Sequence, residues 1–120
     1  MTWDVLFEDR FNAEFLEMPQ EVQDEILAMT DLLGKFGFHL GRPYVDTLKD
    51  SRHANMKELR FCAADGVWRV AFAFDTERKG ILLVAGDKSG TSEKRFYKTL
   101  IKKADDRFDD HLERLKGKRK

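Results

Sequence analysis

Between Met56 and Tyr97 apolar and polar residues alternate in successive short runs, and no other stretch restricts the possible folds as much. Two alternating runs, Lys57 to Cys62 and Val67 to Asp75, are joined by Ala-Ala-Asp-Gly, where Asp65-Gly66 is expected to supply the positive backbone angles of a tight hairpin turn. A third run, Ile81 to Ala85, is nearly all apolar and follows the short polar connection Thr76 to Gly80. Three strands in an antiparallel meander are expected, the last buried on both faces.

Arg69 falls in the middle of the second run, among Trp68, Val70, Ala71, Phe72, Ala73 and Phe74. With alternation it shares a face with Ala71 and Ala73, while Trp68, Val70, Phe72 and Phe74 point to the other. One face is therefore bulky and the other shallow with a cation in it. Glu58 and Arg60 alternate with Leu59 and Phe61 next door, and Lys88 follows the last strand directly after Gly86-Asp87. A cationic groove on one sheet face is the expectation.

Upstream, Trp3 to Phe7 predicts a further strand. Phe11, Phe15 and Leu16 mark a brief amphipathic helix stopped at Pro19, which starts a second helix at its tolerated position. Val22, Ile26, Met29 and Leu33 form the stripe of that helix, and Gly34 and Gly37 are expected to end it. From Phe36 to Asn55 periodicity disappears, which predicts a long surface connection carrying His39, Arg42, Lys49, Arg52 and His53. A last helix is expected from near Ser92 towards Leu115 on the stripe Phe96, Leu100, Ala104 and Phe108, beside Ile101 and Leu112. The chain then ends in a basic tail, Lys116 to Lys120. The order β-α-α-β-β-β-α defines an α+β fold: a small antiparallel or mixed sheet packed by two N-terminal helices and a C-terminal helix.

With 120 residues, 42% hydrophobic and 37% charged, the chain suits one compact domain over 1–120. No apolar run is long enough to cross a bilayer and no signal-peptide pattern opens the chain, so a cytoplasmic location without membrane contact is expected. The single cysteine, Cys62, excludes an internal disulfide and reads as an inert, semi-buried thiol. His39, His53 and His111 lack metal-ligand spacing, and no metal or cofactor is expected. Net charge is zero, but residues 1–34 carry nine acids and one base (−8) and residues 35–120 carry thirteen acids and twenty-one bases (+8). That separation fits either a local polyanion site or acidic helices that compensate a basic sheet.

In order and spacing, K-E-L-R, then G-x-W-R-V-x-F-A-F-D, then I-L-L-V-x-G-D-K-S-G and a following F-Y resemble the RelE/HigB superfamily of toxins, in particular its phage-derived HigB-like branch. The shared pattern spans roughly Met56 to His111, and the fold it implies is RelE-like. The activity it implies is cleavage of mRNA in the ribosomal decoding site: the 2′-hydroxyl attacks the adjacent phosphate and the 5′-oxygen leaves. Base, acid and charge stabiliser are then drawn from Lys, Arg and Tyr rather than from histidines.

Carried over position by position, the resemblance implies that Arg69 holds the scissile phosphate. Lys88 would stabilise the pentacovalent phosphate or protonate the leaving oxygen, although an arginine is the family's usual residue there and the bidentate fork is lost. Tyr97 would stack on a base or orient the 2′-hydroxyl. Lys57 is the candidate base and Arg60 the ligand of a flanking phosphate, with Arg52, Lys94 and Lys98 completing the RNA-binding set. Glu58 is an alternative base or a partner for Arg60, and Asp87 a turn former or a partner for a cation. The implied partners are mRNA, the ribosome and a cognate helix-turn-helix antitoxin. A non-catalytic toxin that binds a protein such as gyrase, or RNA, is the alternative.

Overall fold

A computed structural model of the chain describes residues 2–118. In chain order they form β1 (Val5–Phe7), α1 (Asp9–Leu16), α2 (Gln20–Phe36), a 3-10 turn (Gly37–His39), β2 (Val45–Thr47), β3 (Lys57–Ala63), β4 (Gly66–Phe74), β5 (Gly80–Asp87) and α3 (Glu93–Lys118). The sheet order is β1-β5-β4-β3-β2, with β1 parallel to β5 and every other pair antiparallel. The expected α+β class and meander are present. So is the double burial of the third meander strand, whose Ile81, Leu82, Leu83 and Val84 are all buried.

Several expectations need correction. The region read as a surface connection contains β2, so the sheet has five strands. Its three residues are too short to show periodicity and are held by pairing with Leu59, Glu58 and Lys57 of β3. In the β3–β4 hairpin the positive angles belong to Ala64 (φ 50°) and Asp65 (φ 61°), not to Gly66. Gly66 is required for space instead: a Cβ there would lie 2.5 Å from Asp87 Oδ2 and 2.9 Å from the Trp68 indole nitrogen. Gly34 lies inside α2, where its carbonyl accepts the Trp3 N–H at 2.7 Å. Gly37 alone ends the helix, with φ 54° and the Trp3 indole where a side chain would sit. Cys62 is exposed because burial along β3 fades towards the hairpin tip. The helix expected to stop near Leu115 continues to Lys118, and the last two residues of the basic tail lie outside the described ones.

The two sheet faces carry separate cores. Phe11 and Phe15 of α1 and Val22, Ile26, Met29 and Leu33 of α2 pack on Leu59, Val70, Phe72, Phe74 and Leu82. Leu100, Ile101, Ala104 and Phe108 of α3 pack on Ala71, Ala73, Ile81, Leu83 and Val84 of the other face. The acidic N-terminal segment thus sits on the face opposite α3. Among the described residues no helix is long and apolar enough to cross a membrane.

Charged anchors hold α3 down. Arg107 bonds both carboxylate oxygens of Glu14 (2.8 and 2.7 Å) and the Leu83 carbonyl (2.8 Å), and His111 Nε2 lies 2.8 Å from Asp75 Oδ2. Asp75 Oδ1 also accepts the Glu77 and Lys79 N–H groups that shape the β4–β5 turn. Burial opposes ionisation of Asp75, but His111 and these two N–H donors outweigh it and hold its pKa below the usual carboxylate value.

Two measurements follow from this packing. Phe72 is fully buried, so Phe72→Ala is expected to destabilise by about 3–5 kcal/mol in chemical denaturation; a loss under about 1 kcal/mol would contradict the assigned core. The folded pKa of Asp75 is depressed, so its contribution is complete above the ordinary carboxylate pKa of about 4 and fades as pH falls through the folded value. Asp75→Asn should therefore make the acid limb of the melting temperature against pH shallower. Calorimetry of both proteins checks this, and parallel limbs would count against the coupling.

Candidate functional site

Small residues under α3 build the site. Ala71, Ala73 and Gly86 leave a shallow lane across β4 and β5, and a Cβ on Gly86 would come within 2.9 Å of the Phe96 ring. The helix can therefore lie close to the sheet, with its start fixed by the Ser92 hydroxyl, which accepts the Arg95 N–H at 3.2 Å. One turn in, half-buried Tyr97 is brought over the cationic end of the same face.

There the Tyr97 hydroxyl donates to Glu58 Oε1 at 2.8 Å and accepts from Arg69 Nε at 3.3 Å. Arg60 and Arg69 are register partners on β3 and β4. Arg60 Nη1 reaches Glu58 Oε2 at 2.7 Å, and Arg69 Nε lies 3.7 Å from Glu58 Oε1. One carboxylate thus serves two guanidiniums and a phenol, with the Glu58 and Arg69 side chains only 4% and 7% exposed. Arg69 Nη1 donates to the Trp68 carbonyl at 2.9 Å, and Nη2 has no partner among the described residues. Burial first, then the hydrogen bond to Glu58, raises the Tyr97 pKa, and the Arg69 contact only partly offsets them. The phenol is neutral at physiological pH.

Lys88 enters from the end of β5. Its ammonium stands 5.8 Å from the Tyr97 ring centroid and 3.1 Å from Glu93 Oε1. Asp87 is the turn former here: Oδ1 accepts the Val67 N–H (3.0 Å), the Ser89 N–H (2.9 Å) and the Ser89 hydroxyl (2.5 Å). These donors hold its pKa low, the Ser89 hydroxyl foremost.

Beside this cluster a groove of about 1040 Å³ runs between the start of α3 and the β2 side of the sheet. Lys49, Lys94, Lys98 and Lys102 line it with Arg42, Arg52, Arg60 and Tyr97, against five carboxylates, Asp46, Asp50, Glu58, Glu93 and Asp105. The shallow sheet face is therefore not itself an open groove: α3 covers it, and Arg69 lies under Tyr97 at the inner end.

The structure brings Arg69, Lys88, Tyr97 and Arg60 together and sets Lys94 and Lys98 along the groove, where neither makes an ion pair among the described residues. Arg52 also lines the groove, but Asp105, Asp106 and Asp109 of α3 surround its guanidinium and raise its pKa further, Asp109 foremost. Lys57 is a correction. It pairs with Phe72 and shares the α2 face with Leu59, so strand alternation puts it on the wrong side of the sheet. Its neighbour Glu58, paired with Ala71, faces the cluster. The alternation of Glu58 and Arg60 with Leu59 and Phe61 carried that signal. Asp46, which pairs with Arg42 (2.6 Å), and Glu93 were not singled out, because nothing in their local pattern marks them. His53 and His111 bond Asp109 (2.7 Å) and Asp75 (2.8 Å) as anchors of α3. Among the described residues no group of three or more His, Cys, Asp or Glu is placed to hold a metal ion.

The family described as phage derived protein Gp49-like matches residues 13–109. Two Mycobacterium tuberculosis proteins that carry the toxin names HigB2 and HigB3 are 39% identical over 105 residues and 42% identical over 98. These alignments cover 87% and 82% of this chain; the chain spans about half (52%) of HigB2 and 83% of HigB3. A mutant of E. coli toxin RelE in the free state shares the fold with a TM-score of 0.57 at 10% identity, over 84% of this chain and 95% of that one. A chain of the archaeal RelE–RelB complex of Pyrococcus horikoshii does so with a TM-score of 0.54 at 17% identity, over 76% and 100%.

Glu58→Gln removes the charge that disfavours the phenolate, so the Tyr97 titration should move to lower pH. NMR of ring-labelled tyrosine follows it directly; an unmoved or raised titration would break the proposed contact.

Proposed function

The chain belongs to the phage-derived Gp49-like family within the RelE/HigB superfamily of toxins, and we propose that it is the toxin of a toxin–antitoxin pair that cuts mRNA on the ribosome. The observation that carries this reading is the convergence of Arg69, Arg60, Lys88, Tyr97 and Glu58 beside a groove in whose lining cations outnumber carboxylates seven to five. A single-stranded polyanion fits such a groove, with Lys94, Lys98 and Arg60 on flanking phosphates and the Tyr97 ring against a base.

In the proposed reaction the unpartnered Nη2 of Arg69 binds a non-bridging oxygen of the scissile phosphate. Glu58, in the place expected for Lys57, takes the proton of the 2′-hydroxyl with Tyr97 orienting the exchange. The 2′-oxygen bonds to phosphorus, the bond to the 5′-oxygen breaks, and Lys88 donates a proton to that oxygen. The products are a 2′,3′-cyclic phosphate and a 5′-hydroxyl. Arg69, tied to Glu58, Tyr97 and the Trp68 carbonyl, sits in position before the phosphorane's charge develops, which is where a preorganised cation acts most strongly. Such a site has no histidine acid–base pair, so the ribosome's placement of the mRNA supplies much of the orientation. That places the action in the cytoplasm.

The proposed antitoxin, a helix-turn-helix protein with an acidic contact surface, neutralises by covering the groove. Displacing α3 would break the Arg107–Glu14 and His111–Asp75 contacts as well as its apolar seat. In the archaeal complex, RelE is found with RelB.

Arg69→Ala should abolish growth arrest on induction, with a rate loss of about 10²-fold or more, while the purified variant still unfolds cooperatively, because its neighbours on that face are small. Full toxicity, or failure only through unfolding, would return Arg69 to a structural role.

A further inference from the structure

The cation best placed for the leaving oxygen is not free. Lys88 is held from its backbone: its N–H donates to the Val67 carbonyl at 2.8 Å, and Asp87 on one side and Ser89 on the other are tied to the Val67 N–H. The Lys88 side chain is only 23% exposed. Its counter-anion is of the opposite kind. Glu93 opens α3, is 71% exposed, lines the groove, and uses only Oε1 on Lys88; Oε2 has no partner among the described residues. A half-buried cation on a held backbone thus faces an anion that can swing into water at little cost, since pairs with an exposed partner contribute about 0–1 kcal/mol.

We propose that Glu93 occupies the phosphate position at Lys88 in the free protein and is exchanged for a phosphate of the RNA when substrate enters, so that it sets the affinity of this subsite. This rests on the reading of the groove as an RNA site. The charges around the cluster agree with it: Arg60 and Arg69 share Glu58, Lys88 has Glu93, and Arg52 is taken by α3 carboxylates. The free site is largely self-neutralised, and Glu93 is the carboxylate of the Lys88 pair that can leave. Glu93 is a positioning residue, not a catalytic one.

The test is the affinity of purified full-length wild type, Glu93→Gln, Lys88→Met and the double variant for a short fluorescein-labelled single-stranded RNA, measured over a salt series, with melting temperatures alongside. Glu93→Gln is expected to bind at least about threefold tighter at low salt with a salt slope close to that of wild type, since Lys88 meets a phosphate in both complexes, whereas Lys88→Met should have a slope shallower by about 0.7, the value of one phosphate contact on a single strand. The gain in affinity should vanish in the Lys88→Met background. An unchanged affinity, or a gain that persists without Lys88, overturns the proposal, the latter showing only bulk repulsion. A wild type that binds no RNA even at low salt, with all variants alike, overturns the reading of the groove itself and the exchange with it.

Discussion

The close seat of α3 on the lane of Ala71, Ala73 and Gly86 is the constraint on which the site depends. A larger side chain at Gly86 would meet the Phe96 ring, lift the first turns of the helix and carry Tyr97 away from Arg69 and Glu58. The same contact forms one of the two cores, so the helix that caps the sheet also delivers the phenol. Stability and site geometry share the same residues here. The arginine that the small residues make room for is buried in consequence, and a buried guanidinium requires the partners it has: a phenol, a carbonyl and a carboxylate.

Electrostatics divide along the sheet. The acidic α1–α2 layer lies on the far face, and two of its carboxylates reach round to α3, Glu14 to Arg107 and Asp9 to Arg114. The basic residues gather on the near face around the groove. The groove carries seven cations against five carboxylates, a local positive excess in a protein of zero net charge. The compensation is spatial: anchoring pairs on one side, groove cations on the other.

Much of this was legible in the chain. Alternation identified β3, β4 and β5, assigned Arg69 to the shallow face and marked the bulky face that became the α1–α2 core. Helical stripes placed α2 and α3. What local pattern could not carry was long-range pairing. β2 has three residues and exists because β3 offers an edge. The hairpin's positive angles fell on Ala64 and Asp65 because Ala63 pairs with Gly66, which leaves those two residues as the loop. Lys57 was preferred over Glu58 by likeness to a family pattern, although strand parity already put Lys57 with Leu59. The commitment of Arg52 to α3 joins residues more than fifty positions apart, and no local signal announces such a pair.

The central claim is that this cationic cluster cuts mRNA whose geometry the ribosome provides. The most direct measurement is to incubate the purified protein with a defined mRNA, naked or engaged in translating ribosomes, and to map and chemically identify the new ends. The account predicts new 2′,3′-cyclic phosphate and 5′-hydroxyl ends within the ribosome-bound message and little cleavage of naked RNA. Equal cleavage of both, or 5′-phosphate ends, would contradict it.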